Sequence, residues 1–158
     1  MADQDTYSVT IRFPGDFEYI PAVRKFVSDI LQTSNLDQKF AFRSEIIVDE
    51  VCANAVNFGC TKPDAHVELT VALTGDRVEF HIRDEGGRQR DVERLRAAVN
   101  EKSRIPLEAA QNEAATEGLG LEIVRMLSEK VDLEIDENNL TSLHVVRRRE
   151  DRENDLDR

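Results

Sequence analysis

The chain holds only two cysteines, Cys52 and Cys60, eight positions apart. With no second pair and no histidine at metal-ligand spacing from them, a zinc site is excluded. In a reducing compartment the pair reads as a small apolar residue at position 52 and a loop thiol at position 60, and no redox role is assigned to either. Basic residues are also short: 21 Lys and Arg stand against 32 Asp and Glu, a formal charge of −11. Such a balance is unfavourable for condensing on phosphate backbones, so nucleic acid and anionic membrane fall to the bottom of the partner list. No uncharged apolar run approaches the roughly 20 residues that span a bilayer. The start, Met1-Ala2-Asp3-Gln4-Asp5, lacks both a basic n-region and an apolar h-region, so a cytosolic location is expected. There is no internal repeat.

What is present fits one domain. A length of 158 residues leaves room for one compact unit, and 40% hydrophobic residues supply a core. Tyr7 to Phe13 alternates Val9, Ile11 and Phe13 with polar neighbours until Pro14-Gly15-Asp16 stops it, which predicts a strand with one buried face. Ile20, Val23, Phe26, Val27, Ile30 and Leu31 recur at helical spacing, with Pro21 suited to the first turn. A longer helix is expected over Asp37 to Phe58. Val67, Leu69, Val71 and Leu73, then Val78, Phe80 and Ile82, alternate on either side of Thr74-Gly75-Asp76 and predict a β-hairpin.

Asp91 to Asn100 reads as a short charged helix, and Glu101 to Glu117 as a mobile stretch without an apolar stripe. A helix over Leu121 to Lys130 and a closing hairpin through Val131-Leu133-Ile135 and Leu143-Val145 follow. The expected domain covers residues 1–148, with a charged, disordered tail over 149–158 and fraying from Arg147 onward. The element order predicts a two-layer α/β sandwich: a mixed, mainly antiparallel sheet covered on one face by helices, not a doubly wound parallel sheet.

Three segments carry chemistry. In Asp49-Glu50-Val51-Cys52-Ala53-Asn54-Ala55-Val56-Asn57-Phe58-Gly59, Glu50 and Asn54 stand four apart, one above the other on a face that also carries Ile47, Val51 and Phe58. A carboxylate among apolar neighbours is disfavoured by desolvation unless partnered, and an Asn carbonyl oxygen can serve a cation. A local Glu50–Asn54 hydrogen bond at an exposed helix border accounts for the pair equally. Arg83-Asp84-Glu85-Gly86-Gly87-Arg88 places a carboxylate at a strand end before paired glycines, able to accept from an exocyclic amine, or simply to form a turn. Thr116-Glu117-Gly118-Leu119-Gly120-Leu121 puts two glycines before a helix, where unpaired N–H groups suit a polyphosphate. It is no Walker loop, since no Gly-Lys-Ser/Thr follows, and a flexible helix start explains it as well.

Taken in order, the three segments resemble the motifs of the GHKL ATPases, the superfamily of histidine-kinase ATP-binding domains, gyrase, Hsp90 and MutL, with its Bergerat ATP-binding fold. Glu50-x-x-x-Asn54 resembles the N box, Asp84-x-Gly86 the G1 box and Gly118-x-Gly120-Leu121 the G2 box. From about Tyr7 to Arg147 the chain is most similar to the bacterial anti-sigma-factor serine kinases of the RsbW and SpoIIAB type.

The resemblance implies an ATP- and Mg2+-dependent serine/threonine kinase that phosphorylates a small STAS-type antagonist protein, sequesters an RNA polymerase sigma factor and acts as a homodimer. It makes Glu50 the general base, Asn54 the Mg2+ ligand, Asp84 the acceptor for the adenine amino group and Gly86 part of the adenine pocket. Gly118, Leu119 and Gly120 would hinge the lid and present N–H groups to the phosphates. Arg24 would lie near the γ-phosphate, and Thr141 would support the adenine site. Two positions depart from the pattern: Arg88 stands where a small residue is usual, and Phe58 where many relatives have a histidine. Neither removes base, metal ligand or adenine carboxylate. Arg88 favours the alternative of a non-enzymatic switch with a degenerate nucleotide pocket. A detached histidine-kinase ATP-binding domain is a third reading, disfavoured because His66 and His144 fall in strand patterns.

Overall fold

A computed structural model describes residues 6–60, 62–85, 121–138 and 140–149. The elements run β1 (Tyr7–Pro14), α1 (Ile20–Thr33), α2 (Gln38–Gly59), β2 (His66–Leu73), β3 (Arg77–Arg83), β4 (Lys130–Ile135) and β5 (Thr141–Arg148). A further helical segment covers 121–126. The strands form one sheet in the order β1-β2-β3-β5-β4, and every neighbouring pair is antiparallel.

Side-chain alternation turns this register into two unlike faces. On one, Ile11, Leu69, Ile82, Leu143 and Leu133 lie side by side across all five strands, and Val9, Val71, Phe80, Val145 and Val131 form the next row. This face joins Val23, Val27 and Leu31 of α1, Ile47, Val48 and Val51 of α2, and Leu121 and Val124 in one core. Burying each such aliphatic side chain is worth about 1.5 to 3 kcal/mol. No helix among the described residues is long and apolar enough to cross a membrane.

Local chemistry sets the helix ends. Asn35 adopts φ 67°, closing α1 with the Asn35 N–H on Gln32 O and the Leu36 N–H on Leu31 O, a Schellman arrangement that reverses the chain. Asp37 then caps α2, its carboxylate accepting from the Phe40 N–H at 2.7 Å. Gly15 turns from β1 towards α1 so close to the α2 end that an added Cβ would lie 2.4 Å from Cys60 Sγ. There is no space for a side chain there.

Four details differ from the expectations. Phe26 is 44% exposed, because Ile20, Val23, Val27 and Leu31 already fill the stripe that α1 buries. The helix beginning at Leu121 gives way to a turn at Leu127, and Lys130 opens β4. Arg147 does not fray. It is 1% exposed, its guanidinium 4.0 Å from the Phe40 ring centroid, donating to Phe40 O, Ser44 Oγ and Leu127 O. Arg149 follows with bonds to Thr74 O and Ser34 O, so the ordered chain extends past the expected fraying point. The expected helix over Asp91 to Asn100 and the mobile stretch over Glu101 to Glu117 lie outside the described residues.

Candidate nucleotide site

The middle of α2 brings Glu50 and Asn54 to the rim of the core. Asn54 is buried, and its amide nitrogen has no hydrogen-bond partner among the described residues. The local bond from the Asn54 amide to Glu50 is therefore not made. Leaving a buried amide donor unmatched costs roughly 1 to 3 kcal/mol, so this end of the side chain calls for an acceptor from beyond the described residues. Glu50 is half-buried, and its proton affinity is raised, first by desolvation and then by the neighbouring charge of Asp49.

Arg24 reaches this turn from α1. Its Nη1 donates to both Asp49 carboxylate oxygens, at 3.0 and 2.8 Å, and its Nε lies 3.8 Å from Glu45. Ser28 Oγ donates to Glu45 at 3.2 Å and accepts from Gln32 Nε2, completing a polar seam between α1 and α2. The resemblance placed Arg24 near a γ-phosphate; the fold places it on Asp49, the residue before Glu50. Asp49 and Glu45, one helix turn apart, present two carboxylates on one face of α2, and Arg24 lies between them.

The second half of the site is built by β3 and β5. Val78, Phe80 and Ile82 point to the helices, and continuing that alternation past Arg83 puts Asp84 on the same side. The Asp84 carboxylate is buried, with Thr141 Oγ1 donating to Oδ2 and the Thr141 N–H donating to Oδ1 at 3.3 Å. Asp84 N donates in turn to Thr141 O at 3.2 Å. Thr141 thus holds the Asp84 carboxylate directly. Such a fixed carboxylate is an oriented acceptor for an amino group.

The thiols take no part in this chemistry: burial pushes Cys52 up to about 12 and Cys60 up to about 11, so both stay protonated at neutral pH. Gly86, Arg88, Gly118, Leu119 and Gly120 lie outside the described residues. Among the described residues no group of three or more His, Cys, Asp or Glu is arranged to hold a metal ion. A Mg2+ ion here would take Asn54 and phosphate oxygens, a donor set suited to its preference for oxygen and for keeping water.

The family model of the histidine kinase-like ATPase domain matches residues 13–146. The chain belongs to that family. Among solved structures, the fold is similar to the RsbU and RsbW domains of Rv1364c from Mycobacterium tuberculosis, with a TM-score of 0.63 and 15% identity, covering 90% of this chain and 32% of that one. It is similar also to the SiaB–SiaC complex from Pseudomonas aeruginosa, with a TM-score of 0.67 and 15% identity, covering 90% of both chains. Comparison with curated protein sequences gives no match. For a histidine kinase-like ATPase domain, the antiparallel five-stranded sheet with helices is the α/β architecture expected.

Proposed function

We propose that this protein is an ATP-dependent serine/threonine kinase and anti-sigma factor, which phosphorylates a small STAS-type antagonist and sequesters an RNA polymerase sigma factor in partner switching. The observation that carries this reading is the placement, one turn apart on α2, of half-buried Glu50 and buried Asn54, whose amide nitrogen has no partner among the described residues. Homodimerisation and a cytosolic location belong to the same reading. Support for a partner-binding role comes from the fold neighbours, one a chain with RsbU and RsbW domains and the other a complex of SiaB with SiaC.

Phosphoryl transfer depends on positioning and on electrostatic stabilisation more than on covalent chemistry. Asp84, held by Thr141, accepts from the adenine amino group and sets the nucleotide's register. In the same reading Gly86 would serve the adenine end of the nucleotide, and Gly118, Leu119 and Gly120 would offer N–H groups to its phosphates. The side-chain carbonyl oxygen of Asn54 would hold Mg2+, which would supply neutralisation of phosphate charge. Glu50 accepts the proton of the substrate hydroxyl, and its raised proton affinity brings it nearer to the match that general-base catalysis favours. Arg24 holds Asp49 beside that base and, as a phosphate ligand, would exchange one Asp49 contact for the γ-phosphate.

The test is transfer from ATP to a serine-bearing antagonist by wild type and Glu50→Gln. The variant keeps shape but accepts no proton, so ATP binding should persist while transfer falls by roughly 100-fold or more. Transfer near the wild-type rate would remove Glu50 as the base. Sigma-factor binding with no transfer by the wild type would establish the non-enzymatic switch instead.

A further inference from the structure

The covered side of the β3–β5 pair ends in Asp84 and Thr141; the open side carries a second polar set that the proposed reaction does not use. His81 and Arg83 of β3 and Ser142 and His144 of β5 face away from the helices by strand alternation. His81 stands directly opposite His144 in the register, the ring centroids 5.6 Å apart and the planes at 58°. His81 Nε2 bonds diagonally to Ser142 Oγ, and His144 Nε2 lies 2.7 Å from Glu79 Oε1. Ser142 immediately follows Thr141, so the diagonal bond ties β3 to β5 next to the rung where Asp84 and Thr141 exchange hydrogen bonds.

We infer that His81 is a positioning residue for the Asp84–Thr141 pair: through Ser142 it holds the β3–β5 ladder in register there, and this hold weakens when His81 is protonated. Its bearing on nucleotide affinity rests on Asp84 being the adenine acceptor; the brace itself does not.

The surroundings give the sign. Facing His81 are Glu68 and Thr70 of β2, Glu79 and Arg83 on its own strand, His144 and Ser142 of β5, and Asp132 and Glu134 of β4. Asp132, Glu134, Ser142 and the two histidines line a shallow cleft of about 190 Å³. Burial, then His144, then Arg83 lower the proton affinity of His81, against the opposing pull of Glu134 and Glu68. The unfolded chain therefore takes up this proton more readily than the folded one. The His81 contribution to stability is present above its ordinary value of 6.5 and is lost as pH falls below it.

The experiment follows amide exchange at Thr141 and Asp84 in the full chain from pH 7.5 to 5.5, normalised for intrinsic exchange, beside calorimetry with ADP and Mg2+. At pH 7.5, Ser142→Ala and His81→Ala should each lower protection at Thr141 by about threefold to tenfold, the worth of one hydrogen bond, and weaken ADP in step. His81→Gln keeps a donor for Ser142 without titrating. It should retain protection at pH 7.5 and stay flat on acidification, where the wild type loses protection. Unchanged protection at Thr141 in Ser142→Ala, or a wild-type pH response in His81→Gln, would overturn the inference. Exchange behaving as expected while ADP binds at no pH would uphold the brace and refute the nucleotide reading.

Discussion

The two sides of the β3–β5 pair use the same ladder for different ends. Towards the helices the rows are apolar and fully buried, with Phe80 beside Val145 and Ile82 beside Leu143, and polar groups occur only at the two ends of the face. Asp84 and Thr141 occupy one end; Arg147 occupies the other. Towards the open side the same strands carry Glu79, His81, Ser142 and His144, all within reach of water. Low dielectric makes a polar group on the covered side costly unless satisfied, whereas on the open side solvent substitutes for a lost partner. Two polar pairs on the same two strands should therefore differ in consequence by several kcal/mol.

The largest effect is expected at the buried end of the covered face. Arg147→Ala removes a buried cation stacked on Phe40 together with its hydrogen bonds to Phe40 O, Ser44 Oγ and Leu127 O. A loss of about 3 to 5 kcal/mol is expected, read by urea unfolding. A loss under about 1 kcal/mol would mean that water reaches this site and that the two faces are less different than their burial indicates. Next comes Asp84→Asn, which keeps the shape but replaces an acceptor with a donor. Binding of ADP should weaken by about 10- to 100-fold, the worth of a hydrogen bond to a charged group, while the unfolding midpoint moves little by comparison. The smallest effect belongs to the open side, where Thr10 Oγ1 and Thr70 Oγ1 lie 2.9 Å apart across β1 and β2. Thr70→Val should change stability by no more than about 0.5 kcal/mol. A larger change would show that the Thr10–Thr70 pair carries more of the β1–β2 ladder than its exposure allows.

How much of this was legible depended on whether one period settled the question. Period-two alternation placed Val67 to Leu73 and Val78 to Ile82 in a hairpin, and Thr74 N donates to Arg77 O at its turn. The three-and-four spacing placed α1 and α2, but not the width of the stripe each buries; Phe26 sits beyond the border that the sheet covers. Arg147 was assigned to a fraying tail because charge dominates its neighbourhood. Its position two after Val145 and four after Leu143 nonetheless puts it on the covered face, where a cation persists through carbonyl and hydroxyl partners contributed by α2 and by Leu127. The Glu50–Asn54 spacing was readable at once. That Asp49 is held by Arg24 was not, because the contact depends on how two helices pack.

The sheet order sets β3 beside β5, although Asp84 and Thr141 are 57 positions apart in the chain. Closing a loop of that length costs chain entropy of roughly 3 to 4 kcal/mol, which the central ladder must offset before the β3–β5 contacts return any gain. Local hairpins such as β2–β3 can form early, whereas the strand pair that fixes Asp84 forms late, giving slow closure and a high contact order at the centre of the domain.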